Sequence, residues 1–201
     1  HGATRQLALS ICPDADIVIY MTQDSILALP DSVKNILTPF KDEKVGAVCG
    51  RQIPYPDASP IAAHARLFNY PAVSSIKSKD DIKRIGIKAA FLSNSFAAYR
   101  RTALMDVGGF PSNIIFGEDT YVAARMLLAG WKVAYAAEAT CYHSHNYSIA
   151  EEFRRYFDIG IFHSQEKWFI SLLGKAEGEG KKFVLSEFKY LLKKAPWLIP
   201  S

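Results

Sequence analysis

The stretch from Asp16 to Leu27, DIVIYMTQDSIL, decides the fold class. Ile17, Val18 and Ile19 are β-branched and consecutive, so the run to Met21 does not alternate and reads as a strand buried on both faces, as in a parallel sheet. It ends in Thr22-Gln23-Asp24, a polar cluster with a single carboxylate. Ligands of open α/β sheets bind beyond the carboxyl ends of strands, which makes Asp24 the first position to inspect for chemistry. Its other reading is local: an aspartate that hydrogen-bonds the turn after the strand.

Working outward, residues 3–11 read as a short helix stopped by Pro13, an α-to-β step into the strand. Leu29-Pro30-Asp31-Ser32 offers a helix start, followed by apolar residues at Val33, Ile36, Leu37 and Phe40 in helical spacing. KVGAVCGRQ (44–52) reads as a second strand and IAAHARLFNY (61–70) as a helix ended by Pro71. This alternation is that of an α/β protein. SSIKSKDDIKRIGIK (74–88) is polar, lysine-rich and aperiodic, and is expected to form a mobile loop over a site. AFLSNSFAAYRR (90–101) reads as a strand carrying Ser93, Asn94 and Ser95, and TALMDVGGF (102–110) as a short helix. PSNIIFGED (111–119) is a loop feeding a helix with Glu118 and Asp119 in its first turn and Gly130 just past its end. WKVAYAAEATCYH (131–143) is a strand or strand pair. From Ser148 the pattern turns helical, with Phe153, Tyr156, Phe157 and Ile161 on one face and Val184, Leu185, Phe188, Leu191 and Leu192 on another.

The 201 residues, 49% of them hydrophobic, suffice for one domain with a sizeable core and an appendage. The formal charge of +4 is too dispersed for a nucleic-acid protein, and no nucleic-acid partner is expected. Cys12, Cys49 and Cys141 are odd in number and lack metal-ligand spacing, which suits reduced thiols of a cytoplasmic protein. No apolar run approaches the roughly 20 residues of a membrane span. The chain starts at His1 and enters its first strand only after a helix, the pattern of an excerpt from a longer reading frame.

Three polar clusters end or interrupt apolar elements: Thr22-Gln23-Asp24, Phe116-Gly117-Glu118-Asp119, and His143-Ser144-His145. With Gly2 and Arg5 in front of them, and with GRQ, SNSFAAYRR, GGFP, FGED, YHSHNYS and EFRRYFD in order along the chain, they resemble the inverting glycosyltransferases of family 2. The resemblance is closest to the bacterial rhamnosyltransferase-like branch, in which the D-x-D motif commonly appears as T-Q-D. It implies an α/β fold of the GT-A type, a Rossmann-like mixed sheet flanked by helices. Residues 1–147 would be a partial catalytic domain, lacking the N-terminal nucleotide-binding unit, and 148–201 a C-terminal helical extension.

The resemblance also implies a nucleotide-diphospho-sugar donor, with dTDP-rhamnose as the branch's example, and a glycan or lipid-linked acceptor in surface polysaccharide synthesis. A departing diphosphate needs its charge neutralised, which Mg²⁺ or Mn²⁺ held by a carboxylate achieves. Asp24 is the acid of T-Q-D that can ligate it, beside Gln23, and His143 or His145 completes the metal or phosphate site. His143 is preferred because it directly follows the strand. The acceptor hydroxyl needs a general base, and Asp119 resembles the family's base. There the helix dipole is expected to keep the carboxylate ionised, although an acidic pair in a first helical turn also serves plain helix stabilisation. Glu118 is the weaker candidate, an acceptor contact.

Ser93 and Asn94 would lie near donor sugar or acceptor, or else hydrogen-bond the strand end. Arg5, with Gly2, resembles the family's glycine-then-arginine segment near the diphosphate. Arg154 and Arg155 resemble in placement the Q-x-x-R-W segment of processive members, but Gln and Trp are missing, and polymerisation does not follow. One of these arginines could fork to the diphosphate; alternatively both sit on a solvated helix face, with Glu151 as partner of Arg155.

The segment from Lys175 holds six lysines against Glu177, Glu179 and Glu187, interleaved with aromatics. It reads either as a basic amphipathic helix at the inner face of the cell membrane or as a helix docked on the catalytic domain. A reading from a different class also stands at this point: a non-catalytic carbohydrate-binding or scaffolding relative, or an inactive fragment.

Overall fold

The structure is a computed structural model describing residues 2–114, 116–174 and 178–199. Ile115 of the loop before Glu118, and Lys175 and Glu177 of the basic segment, lie outside them. In chain order the elements are α1 (Gly2–Ile11), β1 (Ile17–Met21), β2 (Ile26–Leu27), α2 (Ser32–Leu37), β3 (Val45–Ile53), α3 (Pro60–Asn69), β4 (Ser75–Lys77), α4 (Ile82–Ile85), β5 (Phe96–Arg100), α5 (Arg101–Asp106), α6 (Glu118–Leu128), β6 (Lys132–Tyr142), α7 (Ile149–Gln165), α8 (Lys167–Leu173) and α9 (Glu179–Lys194).

The strands form one mixed sheet in the order β1-β5-β3-β6-β2, with β4 also paired to β6. β5 runs antiparallel to both β1 and β3, while β3 and β6 are parallel. The parallel pair matters for the site, because Gln52 and Ile53 at the end of β3 emerge beside Cys141 and Tyr142 at the end of β6. A register shift after Gly50 lets β6 bulge by three residues, since Gly50 faces Ala136 and Arg51 faces Thr140. A side chain at Gly50 would run into the Phe96 ring and come within 2.9 Å of the Ala139 carbonyl, so glycine is what lets the bulge close.

Helices cover both faces of the sheet. On one, Ala97 and Tyr99 of β5 pack with Leu104, Val122, Met126, Leu127 and Phe169; on the other, Val48, Phe96 and Ala98 pack with Ile36 and Phe40. β1 departs from expectation. It lies at the end of the sheet, and of its residues only Tyr20 is buried. Ile17 and Ile19 do touch one core cluster and Val18 the other, so both faces are used. With β5 as its partner on one edge only, the strand stays half-exposed.

The expected mobile loop at 74–88 is structured. Ile76 pairs with Ala134 through β4, Ser78 and Asp81 form a capping box, and Ile82, the first residue of α4, is buried. Short pieces of this kind leave no periodic signature in sequence. Ser93, Asn94 and Ser95 precede β5 instead of lying in it. The helix after Pro30 buries Ile36 and Phe40, while Val33 and Leu37 are exposed, and it changes to a 3-10 turn at Thr38.

The last helices divide their faces. α9 docks on α3, with His64 lying among Phe68, Phe183 and Tyr190 and 3.0 Å from the Ser186 hydroxyl. Its opposite side exposes Val184, Leu185, Phe188 and Leu192, and α7 likewise exposes Phe153, Tyr156 and Phe157 while burying Phe162.

Candidate active site

Three chain segments meet at one end of the sheet, around a cleft of about 820 Å³. The first follows β1, where the Ser25 N–H donates to the Thr22 carbonyl and closes a turn. This turn presents the Asp24 carboxylate to two imidazoles, with Oδ2 lying 3.4 Å from His143 Nε2 and 3.5 Å from His145 Nε2. The histidines come from the second segment, directly after β6, and their rings meet edge to face with centroids 4.7 Å apart.

Burial raises the Asp24 pKa, but the Thr22 hydroxyl and the two histidines outweigh it and hold the carboxyl below its usual range. Burial and the Arg66 charge push His143 down to about 4 against the pull of Asp24, and burial also lowers His145. At neutral pH the cluster is therefore one carboxylate and two neutral rings with free lone pairs. One donor atom from each lies within 4.8 Å of the others, a spacing that fits a single metal ion. Geometry does not rank His143 over His145.

The third segment is the start of α6. Gly117 adopts a left-handed conformation, φ 81°, that a residue with a side chain would reach only under strain, and it turns the chain so that Glu118 and Asp119 enter the cleft. Glu118 is buried and engaged through one oxygen: Arg5 Nη1 lies 2.6 Å from its Oε1, which also accepts from Asn94 Nδ2. Asp119 accepts from the Asn94 N–H through Oδ2 and from the Thr120 N–H through Oδ1. Burial, and then the neighbouring Glu118 charge, raise Asp119 to about 6, against those N–H groups and Arg5. The shift is upward, against the downward one expected of a helix N-terminus, although a carboxyl at about 6 is still mostly ionised at neutral pH, as expected. Burial thus makes the Asp119 carboxylate more basic than an exposed one.

The structure gathers Arg5, Gln23, Asp24, Ser93, Asn94, Glu118, Asp119, His143, His145 and Arg155 into the cleft wall. Asn94 spends its side chain on the protein, since its Oδ1 also accepts from the Tyr99 hydroxyl at 2.6 Å, so it orients the two carboxylates. Arg154 is exposed and is not part of the wall. Arg155 approaches Glu152 at 3.5 Å and not the expected Glu151, which caps α7 through Ser148. Gln52, Arg66 and Tyr147 also line the cleft; Gln52 and Tyr147 lie in the GRQ and YHSHNYS stretches but were given no role from sequence, and Arg66 was not singled out. Gln52 had a visible signal, a polar side chain ending a strand whose first six residues are all buried; Arg66 had none.

The family model described as Glycosyl transferase family group 2 matches residues 17–189. The chain belongs to that family. Over 200 residues it is 54% identical to the O-antigen chain rhamnosyltransferase RfbN of Salmonella typhimurium and 52% identical to the O-antigen chain rhamnosyltransferase WbaN of Salmonella anatum. In both cases all of this chain is matched, and it spans 64% of the relative's length.

Among solved structures, the mannosyltransferase PcManGT of Pyrobaculum calidifontis, in complex with GDP-Man and Mn²⁺, superposes with a TM-score of 0.59 at 19% identity. The match covers 98% of this chain and 50% of that one. S. aureus TarS superposes at 0.52 and 12% identity, over 98% of this chain and 52% of that one. These likenesses show the fold: a family 2 chain with the expected GT-A type of mixed sheet between helices.

Proposed function

We propose that this chain carries the metal, diphosphate and base portion of an inverting glycosyltransferase that moves rhamnose from a nucleotide diphosphate to an acceptor hydroxyl in surface polysaccharide synthesis. The observation that carries the reading is the contrast between two carboxylates of one cleft. Asp24 is held ionised beside two neutral imidazoles, whereas Asp119 is raised to about 6. Environments that separate two acids in this way assign them different work. Asp24, His143 and His145 are the ligands, and their two nitrogens and one oxygen favour Mn²⁺ over the harder Mg²⁺. When bound, the ion neutralises charge on the departing diphosphate. Asp119 takes the acceptor proton as its oxygen attacks, and Asn94 keeps that carboxylate aimed. The 54% identity to a protein named as a rhamnosyltransferase supports the sugar.

Calorimetry on the full 201-residue chain tests this, with Mn²⁺ present and dTDP-rhamnose, dTDP-glucose and dTDP-galactose as ligands, which share base and diphosphate and differ in the sugar alone. The expected result is binding of dTDP-rhamnose at least tenfold tighter than the others. Equal affinity for all three would remove the sugar assignment, and no binding of any would remove the donor site.

The same reading puts the acceptor end at the cytoplasmic face of a membrane. Among the described residues no helix is long and apolar enough to cross one. The outer stripe of α9 instead alternates exposed Val184, Leu185, Phe188 and Leu192 with Lys181, Lys182, Lys189 and Lys193, a composition suited to an anionic interface. Vesicles containing phosphatidylglycerol should sediment the chain and pure phosphatidylcholine vesicles should not. Leu185→Ser with Phe188→Ser should abolish the difference, and equal recovery from both lipids would sink the idea.

A further inference from the structure

We infer that Gln52 is a positioning residue that locks His143 in the tautomer protonated at Nδ1, so that the Nε2 lone pair faces Asp24. The argument starts from an atom that can only donate. Arg66 Nη1 lies 2.6 Å from the Gln52 Oε1 position, and a guanidinium has no acceptor, so that atom of Gln52 is the oxygen and the amide has one orientation. The amide nitrogen then faces Ser93 Oγ at 2.9 Å, which can accept. Gln52 is only 2% exposed, so no water competes for these bonds.

The same oxygen lies 2.9 Å from His143 Nδ1. An amide oxygen cannot donate, so the proton between them belongs to the ring. A neutral imidazole carries one N–H, and Nε2 is left as the acceptor. That nitrogen lies 3.4 Å from Asp24 Oδ2 and 3.4 Å from the Ser95 hydroxyl, which can donate to it until a stronger electrophile arrives. The opposite tautomer would set the Nδ1 lone pair against the Gln52 oxygen lone pair at 2.9 Å, a repulsion that the N–H of Nε2 facing Asp24 at 3.4 Å would have to offset.

Arg66 thus acts on the cleft at second hand. It fixes an amide, the amide fixes a ring, and the ring presents its lone pair. Ligating histidines whose other nitrogen is held this way lose roughly 10- to 100-fold in metal affinity when the holder is removed. The consequence for metal affinity rests on the proposed role of Asp24 and His143; the tautomer does not.

The test uses the full chain labelled with ¹⁵N-histidine and long-range ¹H–¹⁵N spectra at pH 7 without metal, followed by Mn²⁺ titration read by electron paramagnetic resonance. The wild-type His143 ring should be protonated at Nδ1. Gln52→Glu keeps an oxygen acceptor and should preserve the tautomer, with Mn²⁺ affinity within about threefold. Gln52→Leu should release the ring to the Nε2-protonated form and weaken Mn²⁺ by about 10- to 100-fold, with melting curves confirming that it is folded. A wild-type ring protonated at Nε2 overturns the inference, as does a Leu variant with unchanged tautomer and affinity. If the Leu variant does not fold, the wild-type spectrum and the Glu variant still decide. A Nδ1-protonated wild-type ring that binds no Mn²⁺ would uphold the role of Gln52 and refute the metal reading instead.

Discussion

Asp24→Ala should abolish Mn²⁺-dependent binding of thymidine diphosphate. The carboxylate supplies the only formal negative charge among the three groups that converge there, and burial keeps both histidines neutral at working pH, free to ligate. Two imidazoles left alone present no charge to a divalent ion, and affinity should drop by more than the roughly 100-fold that loss of an outer partner costs. The diphosphate, which shares the ion, then loses its hold. Several kcal/mol of charge stabilisation would leave the transition state with it, about a thousandfold in rate. Titration calorimetry of wild type and variant side by side is the check. Persistent Mn²⁺-dependent heat in the variant would mean that the diphosphate is held elsewhere.

The second large effect is expected at Asp119. Asp119→Asn should lower kcat by roughly 10²- to 10⁴-fold, the range that a positioned base contributes, while donor affinity changes little. The wild-type pH profile should also carry its signature. The carboxyl is raised to about 6 by burial and by Glu118, so the base form disappears as pH falls through that value. Activity should therefore decline below about pH 6, and the residual activity of the Asn variant should lack that limb. A variant that keeps both its rate and the limb would transfer the base role to another group.

The fold class was legible because its cues are local. A β-branched run closed by polar residues, a Gly-Glu-Asp helix start and a glycine after Ala129 each carry their structural meaning within a few positions, and α6 begins and ends where these signals put it. What sequence concealed depends on neighbours that are distant in the chain. The half-exposure of β1 follows from its having one pairing partner, a fact about β5, some 75 residues away. The segment at 74–88 looked unstructured because its order comes from pairing with β6 and from burying Ile82, not from periodicity.

The cleft shows the same division. Asp24, Glu118, Asp119, His143 and His145 stood out because each is polar at the edge of an apolar element. Arg66 sits mid-helix in α3, and only the fold brings it to Gln52. The raised pKa of Asp119 was equally hidden, since Gly117, Glu118 and Asp119 advertise a helix terminus while burial and the Glu118 charge reverse the sign of the shift.

Placing one carboxylate in a buried setting beside another sets durability against turnover at position 119. A pKa raised from 3.8 to about 6 means that the native state draws its full stability from this group only below about pH 4 and loses it as pH rises through 6. At neutral pH the charge is carried at the expense of folding. A library screened for heat resistance alone should therefore enrich neutral residues at 119, and the hardiest survivors would be those that no longer turn over. Selection for product should restore the aspartate and bring the melting temperature back down with it.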